Sequence, residues 1–240
     1  MGHKNSHFWS TLLELDGELE VKFLKDGEVR KAAQTWNDAF TNDPLLRYFD
    51  DNEPKDPRSE KVAQVFMSGI LLGWIRRKIT ITVKGGASLV VASPAPSSVG
   101  PGGPRDRMID WIISGVFVVL SRVGSKQRRK RALNARNRIA KVIQEEIGAR
   151  QKDMIYVNLV CTAPASQGHG FASALLDTIT RMADMLSVAC WLESSNVANE
   201  GFYNSHGFYT VGEAAIGDDD PTWKGQPVIV QVMVREPKGY

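Results

Sequence analysis

A glycine-containing loop lies between an apolar run and a helical pattern in the second half of the chain. The run ends at residues 159–162, and the loop leads through Gly168 and Gly170 into a helix predicted over residues 170–186. Backbone N–H groups at a helix N-terminus lack partners and carry a partial positive charge, so they bind phosphate when no side chain blocks the approach. The glycines and Ala172 keep that approach open. The residues alone predict either a phosphate site or a simple tight turn, since no Gly-Lys-Ser/Thr follows as in a Walker loop.

Two ionisable side chains further along the chain are candidates for proton transfer. Glu193 ends a predicted strand over residues 188–193, and Tyr203 lies on a short predicted helix over residues 197–205. A carboxylate can take a proton from a nucleophile, and a phenol can give one to a leaving group. Each residue also has an ordinary structural interpretation. Glu193 can favour the N-terminus of the following helix, and Tyr203 can pack in the core.

The loop resembles the cofactor-binding signature of the GCN5-related N-acetyltransferase (GNAT) superfamily. Residues 167–172 match the pattern Gln/Arg-x-x-Gly-x-Gly/Ala, and Pro164 precedes it at the usual distance. The segment from Asn196 through Tyr203 to Phe208 is similar to a second motif, with Asn199 standing where alanine is usual. The motif-level resemblance covers about residues 154–210, and the order of predicted elements extends it over most of the remainder. Within the superfamily, residues 191–208 look most like puromycin N-acetyltransferase and its relatives.

The resemblance implies roles for individual residues. The pyrophosphate of acetyl-CoA, the implied cosubstrate, would bind the loop amides, and its pantetheine arm would pair with the strand that precedes them. Glu193 is implied as the base that removes the amine proton, and Tyr203 as the acid that protonates the departing sulfur. No metal is implied. The implied cofactor-binding residues are Val160, Cys161, Thr162, Gln167, Gly168, His169, Gly170, Phe171, Ala172, Asn196 and Asn199.

The expected function is acetyl transfer to the amine of a small molecule, such as a xenobiotic or antibiotic, by direct attack in a ternary complex. The alternatives are a protein or peptide N-acetyltransferase and a non-catalytic acyl-CoA-binding module. The acceptor site is expected to involve residues 28–78, where aromatic side chains can line a pocket or simply pack in the core. These are Trp36, Phe40 and Trp74, together with Trp111 beyond them. Asp218, Asp219 and Asp220 can bind a cation or stay solvated.

The remaining elements must place this site on one sheet. Alternation and turn signals predict strands over residues 18–24, 79–83, 87–93, 154–161, 208–213 and 228–235. Helical spacing predicts helices that start at Glu28, near Pro44, at about Ser59 and at Lys130. We therefore expect an α/β fold with a mixed, twisted GNAT-like sheet of about seven strands flanked by helices, and a helical insertion at about 108–147.

The segment 108–131 is ambiguous because a 16-residue apolar run precedes five cations in six positions. A membrane helix with a positive flank is one interpretation. The run is shorter than the ~20 residues of a span and contains Asp110. A buried or partner-facing helix is therefore favoured over membrane contact, with the cations as the solvated start of the next helix.

Composition sets broad limits on the class of protein. The 240 residues are 42% hydrophobic with a net charge of +3, which suits a globular protein and lacks the strong basic excess of a nucleic-acid-binding domain. Cys161 and Cys190 lie in apolar runs and are expected in the core, which favours a cytoplasmic location. We expect an N-terminal extension over 1–17 and a single N-acetyltransferase domain over 18–236. The sequence leaves open a homodimer and lipidation at Gly2.

Overall fold

A computed structural model describes residues 20–50, 57–99 and 125–239. The predicted apolar helix at 108–123, Trp111 and Gly2 lie outside these ranges. The described strands are β1 (Lys22–Phe23), β2 (Ile79–Val83), β3 (Ser88–Ser93), β4 (Ile155–Thr162), β5 (Cys190–Ser194), β6 (Tyr209–Ile216) and β7 (Val228–Arg235). The described helices are α1 (Val29–Ala39), α2 (Pro44–Phe49), α3 (Pro57–Ile75), α4 (Lys126–Glu146), α5 (Phe171–Met185) and α6 (Glu200–Ser205). None of these helices is long and apolar enough to cross a bilayer.

The seven described strands form one sheet in the order β1-β2-β3-β4-β5-β7-β6, as the sequence predicted. Neighbouring strands are antiparallel except β4 and β5, which are parallel. A β-bulge interrupts the β3–β4 pairing between Val91 and Ala92, so that Asn158 on β4 is the extra residue. The glycine loop follows β4, which places it at the centre of the sheet.

Helices cover both faces of the sheet. On one face, α5 packs Leu175, Leu176 and Ile179 against β2, β3, β4 and β5 in a shared apolar core. On the other face, α1 and α3 cover β3 and β4 through residues such as Ala33 and Leu71. Helices α2 and α4 cover β5, β6 and β7 on that same face. The amphipathic patterns of these helices are thereby explained, because each buries one apolar stripe on the sheet.

The first turns of α4 differ from the sequence prediction. The helix begins at Lys126, four residues before the predicted start, because the Ser125 hydroxyl caps it by accepting a hydrogen bond from Arg128 N at 3.1 Å. The cationic run is therefore inside the helix, and the expectation of a solvated start is wrong for Arg131, which is 1% exposed. Arg131 donates to Asp220 Oδ2 at 2.7 Å and to the Tyr48 carbonyl at 2.8 Å, so its buried charge is paired.

Candidate active site

The parallel pair β4 and β5 separates after its first residues. Its paired residues are Ile155 with Cys190 and Tyr156 with Trp191. Within the described strands, the rest of β4 pairs only with β3, and the rest of β5 only with β7. Residues 157–162 therefore present an edge of β4 to a gap in the middle of the sheet. Backbone groups on such an edge can pair with an extended ligand, as an added strand would.

The glycine loop closes one end of this gap. Gly168 and Gly170 adopt φ values of 77° and 75°, a left-handed conformation that L-residues with a side chain rarely adopt. Gly170 is the N-cap of α5. A Cβ built on either glycine meets no atom within 4 Å, so the space in front of the loop is free. The unpaired amides at the start of α5 thus face open space that an anion can enter.

A lysine on the β2–β3 turn adds positive charge beside the loop. The Lys84 Nζ atom lies 4.7 Å from the centroid of the Phe171 ring, and Phe171 is the first residue of α5. Lys31 on α1 donates to the Lys84 carbonyl at 2.6 Å, which ties the turn to the helix. The His169 ring stacks on the same Phe171 ring and is exposed. Lys84 therefore lies beside the start of α5, and it was not singled out from the sequence.

Glu193 lies at the gap on β5 and is mostly buried. Its Oε1 accepts a hydrogen bond from the Tyr156 hydroxyl at 3.3 Å. Burial raises the pKa of the Glu193 carboxyl, although the Tyr156 hydrogen bond acts in the opposite direction. The Tyr156 ring stacks on Trp191 with centroids 4.1 Å apart. The carboxylate is therefore oriented by a fixed phenol, and its raised pKa brings it closer to that of an effective base at neutral pH.

Tyr203 on α6 is 9% exposed and packs between aromatic rings of Phe202 and Phe208. Its hydroxyl makes no hydrogen bond to any residue of the described ranges. Burial, and to a smaller extent the nearby Cys161 thiol, raises the pKa of Tyr203 to about 12. The phenol therefore keeps its proton at neutral pH. The hydroxyl oxygen is not among the fully buried polar atoms without a partner, so a bound ligand can reach it.

Asp43 joins the α1–α2 turn to the end of β5. Asp43 caps α2 by accepting from Leu46 N at 3.0 Å, and its other oxygen accepts from the Ser195 hydroxyl at 2.5 Å. Ser195 follows β5 two residues after Glu193. The turn therefore forms one wall of the gap beside the candidate base. Tyr156, Asp43 and Ser195 were missed from the sequence because their partners are 37 and 152 residues away.

The other candidate residues make ordinary structural contacts or lie exposed at the surface. Asn196 accepts a hydrogen bond from Ala198 N at 3.1 Å and so acts as a cap, and Asn199 is exposed before α6. Trp36 stacks on Trp74 with centroids 5.3 Å apart, and both pack with Phe40 against the apolar core of α1 and α3. The acidic run is occupied by guanidinium groups, with Arg138 pairing to Asp218 and Asp219.

Both cysteines are buried and free, as predicted. Burial raises the pKa of the Cys161 thiol far above its ordinary value and that of Cys190 to about 12. Neither sulfur is therefore a nucleophile at neutral pH, since attack requires the thiolate. Val160, Cys161 and Thr162 keep the place expected for them, because they form the end of the β4 edge that faces the gap.

Comparison with known proteins finds a matching family model and a relative with an N-acetyltransferase name. Residues 132–210 match a family model described as an acetyltransferase (GNAT) domain. An uncharacterized N-acetyltransferase of Schizosaccharomyces pombe is 24% identical over 221 residues, which cover 92% of this chain and 84% of the relative.

Two solved structures share the fold at low sequence identity. Arylalkylamine N-acetyltransferase 2 of Aedes aegypti superposes with a TM-score of 0.59 at 13% identity, over 92% of this chain and 100% of that chain. A polyamine N-acetyltransferase of Drosophila melanogaster superposes with a TM-score of 0.54 at 12% identity, over 90% of this chain and 98% of that chain. With the loop motif, the divided sheet and the matching family model in agreement, residues 132–210 form part of a GNAT acetyltransferase domain.

Proposed function

We propose that the protein transfers the acetyl group of acetyl-CoA to a primary amine of a small molecule within a ternary complex. The observation that carries this proposal is the gap between β4 and β5. A glycine loop with open space before its amides lies at one end, and a carboxyl group with a raised pKa, Glu193, and a protonated phenol, Tyr203, lie beside it. A phosphate-bearing thioester of extended shape suits such a gap.

The residues present fit acetyl-CoA as cosubstrate. The amides from Gln167 to Ala172 would hold its pyrophosphate, because a Cβ at Gly168 or Gly170 would fill space that is open. Residues 160–162 would bind its pantetheine arm along the β4 edge. Lys84 would add charge attraction at the loop. Acetyl-CoA, when bound, supplies the activated acetyl group for the attack by the amine.

Glu193 would remove the proton that the amine loses. Its pKa is raised mainly by burial, so it accepts a proton more readily than an exposed carboxylate does. Tyr156 would hold the carboxylate in one orientation through the 3.3 Å hydrogen bond. Removal of this proton makes the attack on the thioester productive, because the initial adduct of an amine carries a positive charge.

Tyr203 would donate a hydrogen bond from its phenol to the sulfur that leaves. With a pKa of about 12, the phenol stays protonated, and it is a weaker acid than a thiol of ordinary pKa near 8.5. Its contribution would therefore be a hydrogen bond to the developing thiolate, in which the phenol keeps its proton and the departed thiolate takes its own proton from solvent. The hydroxyl has no partner in the described ranges that would compete with this bond.

The acceptor class rests on weaker support. The Aedes and Drosophila proteins of the same fold are named for arylalkylamine and polyamine substrates, and by analogy we assign this chain a small amine, with a peptide amine as the second candidate. The similarity to puromycin N-acetyltransferase stays a prediction. A cytoplasmic location is proposed from the two free, buried cysteines.

A thiol-release assay with acetyl-CoA and a panel of small amines and peptides tests the proposal. We expect calorimetric binding of acetyl-CoA by the wild type, by Tyr203→Phe and by Glu193→Gln, because neither side chain holds the phosphates. Turnover should fall at least about tenfold in each variant. The pH profile of kcat/KM should have an acidic limb above the ordinary glutamate pKa of about 4.3, with activity rising as Glu193 loses its proton. That limb should disappear in Glu193→Gln.

Two results would contradict the proposal. Wild-type protein that binds no acetyl-CoA would overturn it entirely. Binding of acetyl-CoA without turnover on any amine would instead favour a non-catalytic acyl-CoA-binding module. The variant Arg47→Gln, on α2, changes neither proton-transfer group and serves as the control for general effects of mutation.

A further inference from the structure

Asn37 lies on α1, and its neighbours along the helix place it beside the gap between β4 and β5. One turn earlier on the same face of the helix, Ala33 belongs to the apolar cluster that contains Leu159 and Cys161 of β4. Six residues later, Asp43 is bonded to Ser195 at the end of β5. The helix therefore crosses from the end of β4 towards the end of β5. The side chain of Asn37, which continues the buried face of Ala33, falls between them.

The Asn37 side chain contains a buried oxygen without a partner. The residue is 5% exposed, and its Oδ1 makes no hydrogen bond within the described ranges. The amide orientation follows from Asp38, because Asn37 Nδ2 lies 3.4 Å from Asp38 Oδ1. A flipped amide would place two oxygens against each other. The acceptor atom is therefore the one turned away from Asp38, and leaving it unpaired costs free energy in the absence of a ligand.

The groups at this end of the gap accept hydrogen bonds and carry negative charge. The Asp43 carboxylate lies in the α1–α2 turn, and the Glu193 carboxylate lies at the end of β5. A ligand that suits both groups and the Asn37 oxygen must donate hydrogen bonds or carry positive charge. An amine satisfies both requirements. The phosphates and the thioester oxygen of acetyl-CoA satisfy neither, and its pantetheine amides can donate a hydrogen bond but carry no positive charge.

We propose that the side-chain oxygen of Asn37 binds the acceptor amine by accepting a hydrogen bond from its N–H group. This inference rests on the proposed acetyl transfer and deepens it, since it identifies a residue that selects amine acceptors. The oxygen orients the nitrogen towards the thioester, while Glu193 takes the proton that the nitrogen loses. Asn37 is thus a substrate-binding residue of the α1 wall.

The test uses Asn37→Leu and Asn37→Ala in the full chain, with a good amine substrate identified in the panel. Leucine has a similar size and no polar atom, so removing the unpaired oxygen should leave the melting temperature unchanged or raise it. The KM for the amine should rise about tenfold, as expected for one lost hydrogen bond. The Kd for acetyl-CoA should stay within about twofold of wild type. Slow hydrolysis of acetyl-CoA without amine should also be unchanged.

Gln34→Ala is the matched control. Gln34 is exposed on the same helix and donates to the same Asp38 Oδ1 at 2.7 Å, so its removal changes the surroundings of Asp38 and leaves the Asn37 oxygen in place. It should not alter the KM for the amine.

Three results would overturn the assignment. Unchanged amine kinetics in Asn37→Leu and Asn37→Ala would show that the oxygen does not bind the amine. A raised Kd for acetyl-CoA would assign the oxygen to the cosubstrate, and a fall of several degrees in melting temperature with normal kinetics would make it structural. If the wild type itself acetylates no amine, the proposed function fails first and this inference falls with it.

Discussion

Replacement of Gly170 by alanine tests two properties of the glycine loop separately: its left-handed backbone and the open space in front of its amides. Gly170 caps α5 with φ of 75°, and a Cβ at this position meets no atom within 4 Å. Alanine should therefore fit without a steric clash, and its only cost in folding free energy should be the strain of the left-handed backbone. That strain is about 1–2 kcal/mol, partly offset by about 0.4–1 kcal/mol from the reduced flexibility of the unfolded chain. For a chain of this size, a net loss of about 1 kcal/mol lowers the melting temperature by roughly 2–4 °C.

The effect on acetyl-CoA binding should be larger than the effect on stability. The new methyl group projects into the open space before the amides, where the phosphates are proposed to bind. A hydrogen bond to a charged group contributes about 1.5–3 kcal/mol, so loss of one raises the Kd for acetyl-CoA by roughly 10- to 150-fold. Isothermal titration calorimetry with the folded variant measures this directly.

Gly148→Ala supplies the control for backbone strain. Gly148 also has a positive φ, 54°, and its built Cβ lies near only the Gln144 amide at 3.9 Å. It follows α4, away from the glycine loop, and should lose similar stability while binding acetyl-CoA normally. If Gly170→Ala folds and binds acetyl-CoA as tightly as wild type, the proposed phosphate site is wrong.

Two further predictions concern charge. Lys84→Ala should raise the Kd for acetyl-CoA several-fold at low salt and less at high salt, because salt screens the attraction between a cation and phosphate. Calorimetry at two ionic strengths measures this, with Lys152→Ala, a change at an exposed lysine, as the control. A rise in Kd that does not depend on salt would argue against charge attraction. Asp184→Asn should cost about 3–5 kcal/mol of unfolding free energy at pH 7, since Arg235, which donates two hydrogen bonds to Asp184, would become an unpaired buried cation. Although burial alone raises the pKa of Asp184, the hydrogen bonds from Arg235 lower it overall, so the stabilisation is present above the unfolded aspartate pKa and disappears as the pH falls through the lower folded value. Urea unfolding at pH 7 and pH 3 measures this, and an equal difference between wild type and variant at both pH values would refute it.

The sequence predicted the elements with strong periodic patterns. The observed bounds of β2 and β7 match the predicted ones, and those of α5 differ by one residue at each end. In each case, alternation or helical spacing over the whole element agrees with burial in the structure. The glycine loop was also predictable, since residues with positive φ at 168 and 170 are both glycines.

The predicted strand boundaries were wrong where the limit of a strand depends on a neighbouring element. Strand β5 begins at Cys190, two residues after the predicted start, because Val188 N still bonds to the Ala183 carbonyl at the end of α5. Strand β1 contains two residues where seven were expected over 18–24, a range that starts before the described residues. Neither limit follows from hydrophobic periodicity, because both depend on the position of a neighbouring element.

The surroundings of the candidate base needed information that a single sequence lacks. Glu193 was identified from a motif, whereas its partner Tyr156 depends on the parallel register of β4 and β5. In the sequence, Asn37 likewise looks like any other asparagine in a helix, and only the folded structure shows that its side-chain oxygen is buried without a partner. Residue type and spacing predicted the groups that do chemistry, but long-range packing decides which groups orient them.

The narrow join between β4 and β5 has a thermodynamic consequence. Within the described strands, two paired positions connect the antiparallel half of the sheet that contains β1 to β4 with the half that contains β5, β6 and β7. A ligand that pairs with the free edge of β4 and also touches β5 would add cross-strand contacts that the polypeptide does not supply. Because such a ligand would bind the folded state alone, it would stabilise both halves of the sheet together, and more strongly at higher ligand concentration.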